Sequence, residues 1–295
     1  MAVIFVFIDG IGIGKENEFN PFYTNHLPGF ELLSGGKLCE ACKEINSQKH
    51  VFKPIDANLE MEGLPQSGTG QASLFCGLNM SQLVGKHFGP YAHSQTKPYL
   101  KEQSLFSDLL KMGKLPHFIN AYPKPFFEHA EKRSRWSCTT WMTMGAGLHL
   151  NTEESVINGE AVTAEVKQDY WKKKLGIELP EITETVAAQR ILKKAKDHDL
   201  VLFEYFLTDK AGHEQNPENA FSSLERIDKL LQELIKEIGN HTLLITSDHG
   251  NIENLSVKTH TRNPVPLYAY GENAQNFEKV ESIIDVKNAI LNCFE

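Results

Sequence analysis

The run Val3-Ile4-Phe5-Val6-Phe7-Ile8, followed at once by Asp9-Gly10, decides the reading of this chain. Six consecutive β-branched or aromatic residues leave no polar face. Such a segment suits a strand buried on both sides, as in a parallel sheet covered by helices. Leu200 to Leu207 and Thr242 to Thr246 have the same character, and Val265 to Tyr270 is a shorter candidate flanked by proline. Between the second and third strands, Phe221, Leu224, Ile227, Leu231, Leu234 and Ile238 keep helical spacing. Pro217 suits the first turn of that helix, and Gly239-Asn240 ends it. A last amphipathic helix carries Ile283, Ile284, Val286, Ile290 and Leu291. Strand, helix, strand in this order predicts an α/β fold with a doubly wound, mostly parallel sheet.

The middle of the chain differs. Residues 86–184 are rich in proline, lysine and aromatics and carry 13 Lys and Arg against 12 Asp and Glu. The remaining residues hold 17 and 26, so the acidity sits with the sheet. This shift predicts a small inserted cap domain over 86–184 and a discontinuous core formed by 1–85 and 185–295.

Composition narrows the class. With 295 residues, 41% hydrophobic and 23% charged, the chain is neither a disordered tail nor a collagen-like repeat or coiled coil. A net charge of −8 disfavours nucleic-acid partners. No stretch approaches the ~20 apolar residues that span a bilayer, and the N-terminal run lacks the basic flank and cleavage site of a signal peptide. Five cysteines do not read as a disulfide framework, and the lone Cys39/Cys42 CxxC is expected to be two ordinary thiols. A cytoplasmic location follows as the expectation; oligomeric state does not follow.

The chemistry gathers at strand ends. Asp9 follows the first strand, and Asp209 follows the second with His213 four residues on. Asp248-His249 follow the third strand, and His260 precedes the last. In a doubly wound sheet these ends converge on one crevice. Carboxylates with neutral imidazoles suit Mn²⁺, Zn²⁺ or, less well, Mg²⁺. Six such ligands exceed what one ion needs while keeping an open position, so two divalent ions are expected. A second feature is the loop Gly63-Leu64-Pro65-Gln66-Ser67-Gly68-Thr69-Gly70, which leads into the apolar stretch ending at Gly77. A hydroxyl at a helix N-terminus meets unpaired N–H groups that favour an alkoxide or a phosphate.

These motifs carry a resemblance. Phe7-Ile8-Asp9-Gly10, Asp209 to His213, Ser247-Asp248-His249-Gly250-Asn251 and Thr259-His260-Thr261-Arg262-Asn263-Pro264-Val265-Pro266 resemble the metal motifs of the alkaline phosphatase superfamily. The nearest branch is that of cofactor-independent phosphoglycerate mutase and phosphopentomutase. The resemblance implies one ion on Asp209, His213 and His260, and another on Asp9, Asp248, His249 and the nucleophile. Its nucleophile-to-glycine spacing points to Thr69, with Ser67 as runner-up.

The departures bear on substrate. In such mutases a large insertion supplies the arginines that grip phosphoglycerate, whereas here residues 86–184 contain only Arg133 and Arg135. Lys86, Lys97, Lys101, Arg133 and Arg135 are the basic candidates for the crevice; of these Lys86, Arg133 and Arg135, with Ser67, are the expected contacts for substrate. The leading expectation is a phosphatase or phosphomutase acting on a small phosphorylated metabolite through a phosphothreonine. A metal-binding regulatory or scaffold protein without turnover is the alternative. A sulfatase would need a Cys/Ser-x-Pro-x-Arg motif, and none lies near residue 69.

Overall fold

Both faces of the first strand are covered because its alternate side chains enter different cores. In the computed structural model, which describes residues 1–133 and 135–295, strand β1 (Val3–Ile8) is fully buried. Ile4, Val6 and Ile8 join one apolar cluster with Phe30, Leu224, Ile227 and Leu231. Val3, Phe5 and Phe7 join a second with Phe75, Phe106 and Ile283. The remaining strands are β2 (Ile45–Ser47), β3 (His50–Ile55), β4 (Pro116–Phe118), β5 (Asn120–Ala121), β6 (Val162–Thr163), β7 (Leu200–Tyr205), β8 (Thr242–Thr246) and β9 (Val265–Gly271).

Seven of them form one sheet in the order β2-β3-β9-β8-β1-β7-β4. The pairs β8/β1, β1/β7 and β7/β4 are parallel. Strand β9 runs antiparallel to both β8 and β3. That reversal places the start of β9 at the edge where β1, β7 and β8 end. A ligand ahead of β9 and ligands after the other three therefore meet.

The helix Pro217–Lys236 covers one face. Asn216 caps it by accepting from the Asn219 N–H at 2.9 Å, and Ala220, Leu224, Ile227, Leu231 and Leu234 are its buried stripe. The helix Ser67–Cys76 covers the other face and ends at Gly77, whose φ of 66° is a conformation glycine adopts freely.

Residues beyond the boundary expected at 86 also contribute to the main sheet and core. Strand β4 belongs to the main sheet, and Leu100, Leu105, Phe106, Leu109, Phe118, Cys138 and Met142 lie in the same core as Phe5 and Phe75. What stands apart is smaller: the β5/β6 pair and a separate cluster of Ala121, Val156, Ala161, Trp171 and Leu179. No described helix is long and apolar enough to cross a membrane.

Candidate metal centre

Asp9 leaves β1 at its carboxyl end, and Gly10 beside it has φ 74° with the Asp209 backbone 2.9 Å from where a Cβ would stand. Only glycine lets these two segments approach so closely. Asp209 and His213 lie one turn apart in the helix Leu207–Glu214, with His213 Nε2 3.3 Å from Asp209 Oδ2. His260 Nε2 is 3.3 Å from Asp209 Oδ1 and 3.2 Å from His213 Nε2. Asp209, His249 and His260 form one compact group of ligand atoms, with His213 beside it. Asp9, Asp248 and His249 form the other: His249 Nε2 is 3.2 Å from Asp9 Oδ1 and 3.6 Å from Asp248 Oδ2. His249 also lies within reach of Asp209 and His260, so the two groups are contiguous.

Each imidazole is held by its other nitrogen. His213 Nδ1 meets the Lys258 carbonyl at 2.6 Å, His260 Nδ1 the Pro65 carbonyl at 2.6 Å, and His249 Nδ1 the Gly250 carbonyl at 3.4 Å. A carbonyl can only accept, so Nδ1 carries a proton and each Nε2 faces the centre.

The donor set fits divalent cations. Both carboxylate oxygens of Asp248 are buried and have no hydrogen-bond donor among the described residues, and the buried Asp9 Oδ1 lies 3.2 Å from His249 Nε2. Buried carboxylate oxygens without donors are costly unless a cation meets them. The protonation pattern carries the same strain. Burial and the neighbouring Asp9 charge push the Asp248 carboxyl well above its ordinary range. Burial would lower His249, but Asp248 and Asp9 overcome it and raise the imidazole to about 10. Burial also opposes ionisation of Asp209, yet His260, His249 and the Asn251 amide hold its carboxyl far below normal.

The hydroxyl expected as the nucleophile, that of Thr69, is engaged elsewhere. The Thr69 hydroxyl is fully buried, accepts from the Phe88 N–H at 3.1 Å and lies 3.4 Å from the Phe88 and Gln66 carbonyls. It fastens the helix to the 86–90 loop and does not join the ligand group assigned to it. Ser67, two residues earlier, places Oγ 3.0 Å from His249 Nε2. Residues two apart on a helix point about 200° away from each other, so the two hydroxyls face different sides of it. Gln71, one turn on from Ser67, shares its face and donates to Asp9 Oδ2 at 3.0 Å. That i, i+4 polar pair within an apolar helix was the readable signal.

Three further residues escaped the sequence reading. Glu253 is buried and accepts from the Gly12 N–H at 2.9 Å, the Asn251 N–H at 2.7 Å, the Asn263 amide at 2.9 Å and the Thr261 hydroxyl. It thus ties the segments bearing Asp9, His249 and His260 together. Asn251 donates to Asp209 Oδ1 at 2.6 Å. Glu204, buried on β7, accepts from Thr139 Oγ1 at 2.7 Å, and burial with the nearby Asp9 charge raises it to about 7.

Lys86, Arg133 and Arg135 are exposed. Arg135 stacks over the Tyr91 ring at 5.7 Å, and the Tyr91 carbonyl lies against Gly68. Of the three, Arg135 alone is linked to the serine loop. Lys97 and Lys101 lie over the Trp141 ring at 5.0 and 4.7 Å.

A family model described as the Metalloenzyme superfamily matches residues 1–295. The 2,3-bisphosphoglycerate-independent phosphoglycerate mutase of Pyrococcus abyssi is 27% identical over 163 residues, covering 50% of this chain and 39% of that protein. The enzyme of the same name from Mycoplasmopsis synoviae is 35% identical over 96 residues, covering 30% of this chain and 19% of that protein. The matched stretches thus span well under half of these relatives. Among solved structures, alkaline phosphatase from the Antarctic bacterium TAB5 superposes with TM-score 0.62 at 12% identity, covering 99% of this chain and 96% of that one. Leishmania mexicana phosphoglycerate mutase superposes with TM-score 0.53 at 12% identity, covering 99% and 94%. At such identities the likeness is one of fold.

Proposed function

The chain belongs to the Metalloenzyme superfamily, and from that premise we propose that it is a two-metal phosphotransfer enzyme acting on a small phosphorylated metabolite, with Ser67 as its nucleophile. The observation that carries this reading is the Ser67 hydroxyl 3.0 Å from His249 Nε2, beside buried Asp248 carboxylate oxygens that have no donor among the described residues. Asp209, His213 and His260 would hold one cation, and Asp9, Asp248, His249 and Ser67 the other. Mn²⁺ or Zn²⁺ suits this mixture of imidazole and carboxylate better than Mg²⁺. Bound there, the two ions would supply the charge that acidifies a hydroxyl and neutralises phosphoryl oxygens.

The protein's own contribution is position. Ser67 opens a helix of 10 residues, so its Oγ lies where unpaired N–H groups and the helix dipole favour an incoming phosphoryl anion. Gln71 and Asn251 fix one oxygen each of Asp9 and Asp209, leaving the other oxygen to the site. The phosphoryl group passes in line from substrate oxygen to Ser67 Oγ, giving a phosphoserine. Water then takes it in a hydrolase, or a second hydroxyl of the retained substrate in a mutase.

The test is a screen of small phosphometabolites with Mn²⁺-loaded protein, reading released phosphate and isomerised product together. Turnover of at least one phosphomonoester is expected, and its loss with chelator. A metal-loaded, folded protein that turns over none of them would favour a binding role instead.

A further inference from the structure

The turn Cys39-Glu40-Ala41-Cys42 lies outside the metal centre, and phosphotransfer makes no use of it. The Cys42 N–H donates to the Cys39 carbonyl at 3.0 Å. A turn closed in this way brings its first and last Cα atoms within about 7 Å, a range that overlaps the roughly 4.4–6.8 Å found across disulfides. The two thiols have different surroundings. Cys39 is 4% exposed and its Sγ lies 3.6 Å from Glu16 Oε1. Cys42 is half-buried, with Sγ 2.9 Å from the Lys37 carbonyl. Both line one cavity of ≈ 450 Å³, together with Glu16, Lys37, Lys43 and Glu44. Burial, with added effects of Cys42 and Glu16, raises the Cys39 thiol above its ordinary value. Cys39 therefore waits as a thiol, and the more accessible Cys42 is the sulfur that an outside reagent meets first.

We propose that Cys39 and Cys42 form a dithiol site that a small disulfide entering this cavity oxidises to an internal disulfide, with Cys42 attacking, Cys39 resolving and Glu16 accepting the proton. The Cys42 thiolate attacks one sulfur of the reagent, forming a mixed disulfide and releasing the first thiolate. Cys39 passes its proton to Glu16 Oε1 and attacks the Cys42 sulfur, expelling the second thiolate. The Cys42 proton reaches the first departing thiolate through solvent and Glu16 passes the Cys39 proton to the second, so the chain loses two protons and two electrons and the reagent leaves as two thiols. The mixed glycine, lysine and glutamate lining suits a charged peptide disulfide such as oxidised glutathione.

The experiment equilibrates the full chain with glutathione buffers from fully reduced to fully oxidised. The samples are quenched with an alkylating agent in acid denaturant, and the peptides are mapped by mass. Free thiol at Cys39 and Cys42 is expected to disappear in one joint transition, replaced by a peptide cross-linked between them. C39S should accumulate glutathione on Cys42, whereas C42S should keep a free Cys39. E16Q should close the internal disulfide about tenfold or more slowly, as loss of a positioned proton acceptor requires. Wild-type protein that keeps both thiols in the most oxidised buffer overturns the proposal. So does stable glutathione on Cys42 without the internal bond, and an unchanged closing rate in E16Q removes Glu16 from its role.

Discussion

Ser67 and Thr69 differ by two positions and by everything that matters to chemistry. One hydroxyl points at His249, and the other is spent on the Phe88 N–H. The six Asp and His candidates were legible because each follows or precedes an unmistakable apolar strand. The choice between two hydroxyls was not, because loop spacing does not report where a helix begins. Once Ser67 is known to be its first residue, helical geometry alone assigns the faces. Thr69→Val should accordingly keep turnover within a few-fold of wild type. It should cost about 1–3 kcal/mol of stability, because the buried Phe88 N–H loses its acceptor. Thermal unfolding and steady-state rates measured on the same preparation check both halves. A loss of several orders of magnitude in rate would return the nucleophile to Thr69.

At the scale of elements, strands β1, β7, β8 and β9 were legible, and the antiparallel sense of β9 explains why its ligand comes first rather than last. Strand β4 was not legible. It has three residues, begins at Pro116 and lies at the sheet edge, too short to show a period. The helix Ser67–Cys76 sits close to the loop after β8: a Cβ at Gly70 would stand 2.9 Å from the Asp248 carbonyl oxygen and 3.1 Å from its Cβ. Gly70→Ala should therefore push Ser67 away from Asp248 and His249, lowering turnover at least tenfold while circular dichroism stays near wild type. Unchanged turnover would show that this contact is slack.

Strand β4 also carries His117, which burial and then His198 lower to about 4. Its unfolded value lies near 6.5, so the unfolded chain binds more protons between these limits. The contribution of His117 is complete above about pH 6.5 and is lost as pH falls toward 4, up to about 3 kcal/mol. Urea unfolding at pH 7 and pH 4.5 should show this loss in wild type and a smaller one in His117→Phe. Equal losses in the two proteins would contradict it.

For the whole molecule, the sheet edge brings three aspartates and three histidines from across the sequence into one centre, and Glu253 ties the segments that carry them. Such a centre couples metal to folding. Stripping the protein with chelator should lower its melting temperature, and Mn²⁺ should restore it. Each ion should contribute about 2.7 kcal/mol at a hundredfold excess over its dissociation constant. A melting temperature indifferent to chelator would argue against bound cations. The pattern of buried strands made the α/β architecture legible, and the strand-end ligands gave the metal chemistry. Substrate identity was not legible, because Lys86, Arg133 and Arg135 are exposed side chains that belong to no motif.

The central claim is that phosphate passes through Ser67. Mn²⁺-loaded protein is mixed with a phosphomonoester it turns over, quenched in acid within one turnover, digested, and its phosphopeptides sequenced by mass spectrometry. Phosphate on Ser67, absent in Ser67→Ala protein with normal fold, is the expected result. Phosphate on Thr69, or full turnover with Ser67 replaced by alanine, would contradict it.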